Sequence, residues 1–282
     1  MNVPPEILKC VAFVGAKKVN GEYEFFGSAF IVGFTGGRGY AEQVFFVTAR
    51  HVIQAIQKKG ATQVWLRVNL KDGNSAWVET ALGSWAFHPT DASIDVSIVE
   101  LGIGSDLDHL VFPIEQSATR EVLAQHEAGH GDEVFITGLF RHHTGARRNI
   151  PIVRVGNVSC ISKEKIRTKD FGEIEGYLIE ARSVGGLSGS PVFINMGGIR
   201  FIGGSLKMSA HPVYFFLGLI HGHFDIKAAA VDAAQEVELS PERVNTGIAI
   251  VTPFEKVSEV ISEYRKTGAQ SKAIIQKIKK DA

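Results

Sequence analysis

The sequence predicts an all-β protein: two six-stranded antiparallel β-barrels followed by a C-terminal α-helix. Apolar stretches rich in Val, Ile and Phe recur along the chain, broken every 8 to 15 residues or so by Gly, Asn, Asp or Pro. Short strands separated by turn residues at that interval are the pattern of barrels and sandwiches. The length, 282 residues, allows one large β unit or two small ones, with a substantial buried core.

Six stretches are expected to close the first barrel: Lys9 to Gly15, Ser28 to Gly33, Gln43 to Thr48, Val64 to Asn69, Trp77 to Ala81 and Val96 to Leu101. The second draws on Glu133 to Thr137, Pro151 to Val158, Gly176 to Ile179, Pro191 to Ile194, Phe201 to Leu206, Tyr214 to His221 and Asn245 to Val251. Between the two sets, Gly102 to His130 has mixed polarity and suits a connection with a helical turn. One domain results, in three parts: 1–115, 116–252 and a helical tail at 253–282. The tail opens on Thr252-Pro253-Phe254-Glu255, a capping-box pattern with Pro at the first helical position, and Val257, Val260, Ile261 and Tyr264 follow on one face. This helix is expected to pack on the second barrel. Beyond Gly268, Ala273 to Lys280 reads as a further short helix, whose Lys272, Lys277, Lys279 and Lys280 neighbourhood is either a solvated face or a docking arm for a regulatory partner.

Lys+Arg and Asp+Glu both number 30, so no global field recruits nucleic acid or an anionic membrane. Cys10 and Cys160 are too few for a disulfide framework and fit free thiols in a reducing compartment. Met1 to Lys9 has no basic region followed by a long apolar one. The longest apolar run, Val213 to Ile220, is 8 residues, against roughly 20 needed to span a bilayer. A soluble, cytoplasmic protein is expected, with no membrane or nucleic-acid partner, no cofactor and no metal.

Three short segments carry the chemistry. His51 follows an apolar stretch, Asp95 lies 44 residues on and precedes another, and Ser188 sits 93 residues beyond that between Gly186-Leu187 and Gly189-Ser190-Pro191. A serine hydroxyl is inert at neutral pH until an imidazole takes its proton and a carboxylate holds that imidazole in the right tautomer. Each residue alone has a plain structural reading: a turn serine, a helix-start histidine, a strand cap. Order, spacing and flanking strands together favour a triad. Asp91 competes with Asp95 but lacks the apolar strand immediately after it.

The segments T-A-R-H-V at Thr48 to Val52, D-V-S-I-V-E-L at Asp95 to Leu101 and G-G-L-S-G-S-P-V-F at Gly185 to Phe193 resemble the trypsin-like (chymotrypsin-fold) serine peptidases, especially the bacterial glutamyl endopeptidase and HtrA-like branches. Looser echoes run from Val11 to Val260. The resemblance implies peptide-bond hydrolysis through an acyl-enzyme, with Ser188 as nucleophile, His51 as base and Asp95 as its partner. The N–H groups of Gly186 and Ser188 would form the oxyanion hole. It further implies that Arg182, Ser183, His221 and His223 line the substrate pocket and favour an acidic side chain before the cleaved bond. Leu187 departs from the pattern: trypsin-like zymogens place there an Asp that pairs with a freshly cleaved N-terminal amine, and leucine cannot.

Two other readings compete. A catalytically silent domain of the same fold would use its cleft or tail to bind a partner. His126-Glu127-Ala128-Gly129-His130 matches the H-E-x-x-H zinc-hydrolase motif, but Gly129, Gly131 and Asp132 interrupt the helix that motif needs. The basic cluster Arg141-His142-His143 to Arg147-Arg148 reads as an exposed loop beside the cleft.

Overall fold

The computed structural model describes residues 3–35, 43–168, 171–181, 186–227, 243–266 and 279–280. The first half holds β1 (Val11–Lys17), β2 (Tyr23–Phe34), β3 (Gln43–Thr48), α1 (Arg50–Lys58), β4 (Gln63–Asn69), β5 (Ser75–Ala81), β6 (Ala86–Phe87), β7 (Ser97–Glu100) and β8 (Phe112–Pro113). The second holds α2 (Arg120–Gln125), β9 (Glu133–Gly138), β10 (Ile152–Ile161), β11 (Ile166–Thr168), β12 (Gly172–Ile174), β13 (Tyr177–Glu180), β14 (Pro191–Ile202), β15 (Ser205–Lys227), β16 (Arg243–Pro253) and α3 (Phe254–Lys266).

In the first half the strands pair in the order β5-β4-β1-β2-β3-β7-β6. β5 and β6 stand at opposite ends of that ladder, yet only the turn through Leu82–Ser84 and Trp85 separates them in the chain. They are two halves of one bent strand, so the ring is completed through the backbone and not through a continuous ladder. The bend is fixed by the buried Trp85, whose Nε1 donates to Thr80 Oγ1 at 2.9 Å; that hydroxyl in turn donates to Val64 O at 2.8 Å. The second half is a closed antiparallel barrel, β10-β13-β16-β15-β14-β9, from which the β11–β12 hairpin projects. Aromatic rings fill the seam between the halves: Phe30 lies 5.0 Å from Phe216, and Phe112 5.1 Å from Phe193. The protein is thus a chymotrypsin-like double barrel with few helices.

Two sequence expectations are corrected and one is extended. Phe201 to Leu206 is not a single strand but a hairpin turn, because Gly203 and Gly204 adopt φ of +58° and +73° and reverse the chain. Phe201 and Leu206, whose apolarity suggested a strand, instead face each other across the hairpin. The C-terminal helix buries Val257, Val260, Ile261 and Tyr264 against β15 and β16 of the second barrel, as expected, and also against β6 and β7 of the first. Phe254 still meets Phe216 at 5.9 Å, while Tyr264 reaches Phe45 at 5.9 Å and the Arg265 guanidinium lies 3.8 Å over the Phe34 ring. Leaving β16 at Pro253, α3 runs back across the seam, and its apolar face is consumed there. Lys279–Lys280, expected to end a helix, pairs instead with Trp77 and Ala76 of β5; residues 267–278 lie outside the described set. Among the described residues no helix is long and apolar enough to cross a membrane.

Candidate active site

The first site element is built by β3 running into α1. Val52, Ile53 and Ile56 bury one face of α1, which leaves His51 in the first turn at the barrel rim. Ala49, at the N-cap, has no side chain able to accept from the orphan N–H groups of that turn. A remote carboxylate does so: Asp95 Oδ1 accepts the His51 backbone N–H at 2.9 Å. Pairing of Thr48 on β3 with Ser97 on β7 brings Asp95 to this spot. The structural and the chemical readings of these two residues therefore coincide, since Asp95 caps the helix and meets the imidazole.

Asp95 Oδ2 lies 2.7 Å from His51 Nδ1. A lone pair could not approach a carboxylate so closely, so Nδ1 carries the proton and Nε2 is left as the basic nitrogen. Burial alone would push the Asp95 carboxyl up, but the imidazoles of His51 and His221 beside it outweigh that and hold the group well below its ordinary value of 3.8. Asp91 takes no part: its Oδ1 accepts from Ser93 N and Ser93 Oγ at 2.8 and 2.6 Å.

Ser188 is half-buried on the loop before β14. Contacts on three sides place that loop. Ser28 N donates to Ser188 O at 2.9 Å, Ser28 Oγ donates to Gly186 O at 3.0 Å, and Gly189 N donates to Ile220 O at 2.9 Å, one residue before His221. A Cβ on Gly189 (φ +80°) would lie 2.3 Å from Thr48 Oγ1 and 2.9 Å from Ala49 N, so only glycine lets the loop press against the residues leading into His51. Leu187 is fully buried in the second-barrel core. Among the described residues, neither the Ser188 hydroxyl nor the N–H groups of Gly186 and Ser188 have a hydrogen-bond partner. The loop that carries Ser188 thus lies against the residues leading into His51.

His221 was expected in the substrate pocket. Its ring instead turns to Asp95, with Nδ1 2.6 Å from Oδ2 though not directed along a straight hydrogen bond. The cause is a β-bulge: Ile220 pairs with Val251 and Gly222 with Ile250, so His221 is the extra residue and its side chain is re-aimed. Arg182 and Ser183 lie outside the described residues, as does the side chain of His223. Phe171 packs edge-on to both imidazoles, 6.2 Å from His51 and 4.9 Å from His221. Neither Phe171 nor Ser28 stands out in the sequence, where one is a lone aromatic in a polar stretch and the other a serine inside a strand. His51, Asp95 and His221 offer a two-imidazole, one-carboxylate donor set, but two of its contacts are at proton-sharing distance, shorter than the spacing of ligands around a metal.

The H-E-x-x-H segment is not helical through its length. α2 ends at Gln125, Glu127 has φ +47°, and the His126 and Glu127 carbonyl oxygens accept from Arg200, which also pairs with Asp132. The basic loop is pinned to the first barrel: Arg67 donates to Gly145 O and Ala146 O at 2.8 and 2.9 Å, and Arg148 pairs with Asp108 at 2.9 Å.

No protein-family model and no curated protein sequence matches the chain. Among solved structures it is similar to Deg5, at 14% identity and a TM-score of 0.52 over 93% of this chain and 92% of that one. It is also similar to an inactive serine-to-alanine mutant of Rv3671c from M. tuberculosis H37Rv, at 13% identity and a TM-score of 0.47 over 91% and 88%. With its double barrel, this chain has the fold of the trypsin-like serine peptidases.

Proposed function

We propose that the protein is a serine endopeptidase acting on protein or peptide substrates without a cofactor. The observation that carries this reading is the doubly held His51–Asp95 pair, with a buried ionised carboxylate fixing the imidazole through ring and backbone alike. His51 Nε2 takes the proton of Ser188 Oγ as that oxygen bonds to the peptide carbonyl carbon. The Gly186 and Ser188 N–H groups receive the oxyanion. His51 then gives its proton to the leaving amine, and water repeats the sequence in reverse on the acyl-Ser188 ester. Loss of one oxyanion donor typically costs about 10²–10³-fold in rate.

Two free thiols support a cytoplasmic setting, and burial pushes that of Cys10 up to about 12, leaving it inert. An acidic preference would rest on Arg182, Ser183 and His223, with only Nε2 of His221 left to contribute. The deciding experiment is labelling by a fluorophosphonate together with hydrolysis of a peptide library. Wild-type protein should be labelled and active, and Ser188→Ala neither; labelling that persists in Ser188→Ala would overturn the reading.

A further inference from the structure

The far end of the β14–β15 hairpin carries four of the seven large apolar residues that stand exposed among the described residues: Ile199 at 63%, Phe201 at 69%, Leu206 at 51% and Met208 at 73%. They share one face. Ile199 and Phe201 are two apart on β14, Leu206 and Met208 two apart on β15, and the register sets Ile199 opposite Met208 and Phe201 opposite Leu206. Arg200 and Lys207, the pair between them, belong to the other face. There Arg200 grips the loop between α2 and β9: it pairs with both Asp132 oxygens at 2.8 and 2.7 Å and donates to the His126 and Glu127 carbonyl oxygens, while Gly203 N donates to Glu127 Oε1 at 2.7 Å. The hairpin is thus held from behind and at its tip, and its apolar face is turned outward as a fixed surface.

We propose that a second copy of the chain docks on this face, the two hairpins closing face to face about a two-fold axis. Three observations choose that occupant. The face carries no charged side chain, so an identical face meets it without repulsion and without burying an unpaired charge. Its exposed area is about 500 Å² per copy, and two copies bury about 1,000 Å², the size at which a specific interface begins. No described apolar surface of the same chain is left to cover it, because α3 spends its own on the seam while Val19, Ile150 and Val155 lie on the β1–β2 turn and on or before β10. A lipid surface fits less well, since a bilayer would have to take up the tip, and the tip is Gly203-Gly204 tied to Glu127. The cleft stays open in such a pair. β9 ends with Gly138 against Ser190 and begins at Glu133, which accepts from Asn195 on the way to the hairpin, so the interface lies at the opposite end of β9 from the Ser188 loop.

The test is sedimentation of the full chain in a dilution series from about 100 to about 1 μM, where a small interface dissociates. Wild type should run at twice 30.7 kDa at the top of the range. Two double variants, Phe201→Lys with Met208→Lys and Phe201→Glu with Met208→Glu, charge the diagonal of the face. Each should be monomeric, its association weakened at least about 10²-fold by like charges brought together, with thermal midpoint and Ser188 labelling as in wild type. An equimolar mixture of the two should recover the dimer. Wild type that stays at 30.7 kDa throughout, a dimer that survives either double variant, or a mixture that stays monomeric overturns the proposal. Flotation of wild type but not of the charged variants with phosphatidylcholine vesicles overturns it in favour of lipid. The readout needs no turnover, so it stands whether or not Ser188 is a nucleophile.

Discussion

Ser28 and Gly186 are 158 residues apart in the chain and joined by one hydrogen bond, from the Ser28 hydroxyl to the Gly186 carbonyl oxygen at 3.0 Å. The same hydroxyl accepts from Leu139 N at 2.8 Å, and the Ser28 backbone holds Ser188 O and Thr48 Oγ1. One buried side chain on β2 thereby ties the loop of Ser188 to both barrels. Ser28→Ala leaves the Leu139 N–H and Gly186 O unpaired in the interior, and is expected to cost about 1–3 kcal/mol in denaturant unfolding. Fluorophosphonate labelling of Ser188 should slow in step, through a looser loop.

Asp95→Asn keeps the shape of the site and removes its charge. The equivalent change in a worked serine triad lowers kcat by about 10⁴-fold through the wrong imidazole tautomer, and a loss of that order is expected here. Stability should respond with a definite sign. The folded carboxyl titrates below its unfolded value, so under acid the unfolded chain binds a proton that the folded one refuses, and stability falls as pH drops below about 4. Urea midpoints measured from about pH 5 to pH 3 should fall more steeply in wild type than in the Asn variant.

Gly189→Ala forces a methyl group to within 2.3 Å of Thr48 Oγ1 and 2.4 Å of Ser28 O at a left-handed backbone angle. Strain of about 1–2 kcal/mol from the angle, and a further ~1–3 from the overlap, should combine to lower the unfolding midpoint. Gly172→Ala serves as the control, since it has a similar φ of +67° with nothing near the added atom, and should cost only the first share.

A chelator should leave Ser188-dependent labelling intact. His126 and His130 do not share a helical face, and the His126 and Glu127 backbone is committed to Arg200. Activity lost to EDTA and restored by Zn²⁺, with Ser188→Ala still active, is the opposite outcome and would restore the zinc reading.

Most of the strands were legible because each alternates apolar residues between Gly, Asn or Asp breaks; Gln43–Thr48 agrees to the residue. What escaped were features set by three-dimensional closure. The bent strand at Trp85 is invisible as such because its two halves pair with different neighbours. The Gly203-Gly204 turn was hidden by exposed Phe201 and Leu206, whose apolarity mimics burial. His51, Asp95 and Ser188 could be singled out because each adjoins a strong strand. His221 could be singled out but not aimed, because one bulged residue decides which way a strand side chain faces.

Leu187 is fully buried and belongs with Ile136, Val192 and Ile220 to the core of the second barrel. Such an anchor is neither created nor withdrawn by a cut elsewhere in the chain. The turn that displays Ser188 therefore owes its shape to the cohesion of the barrel itself, and heat should dissolve the two together, in one transition.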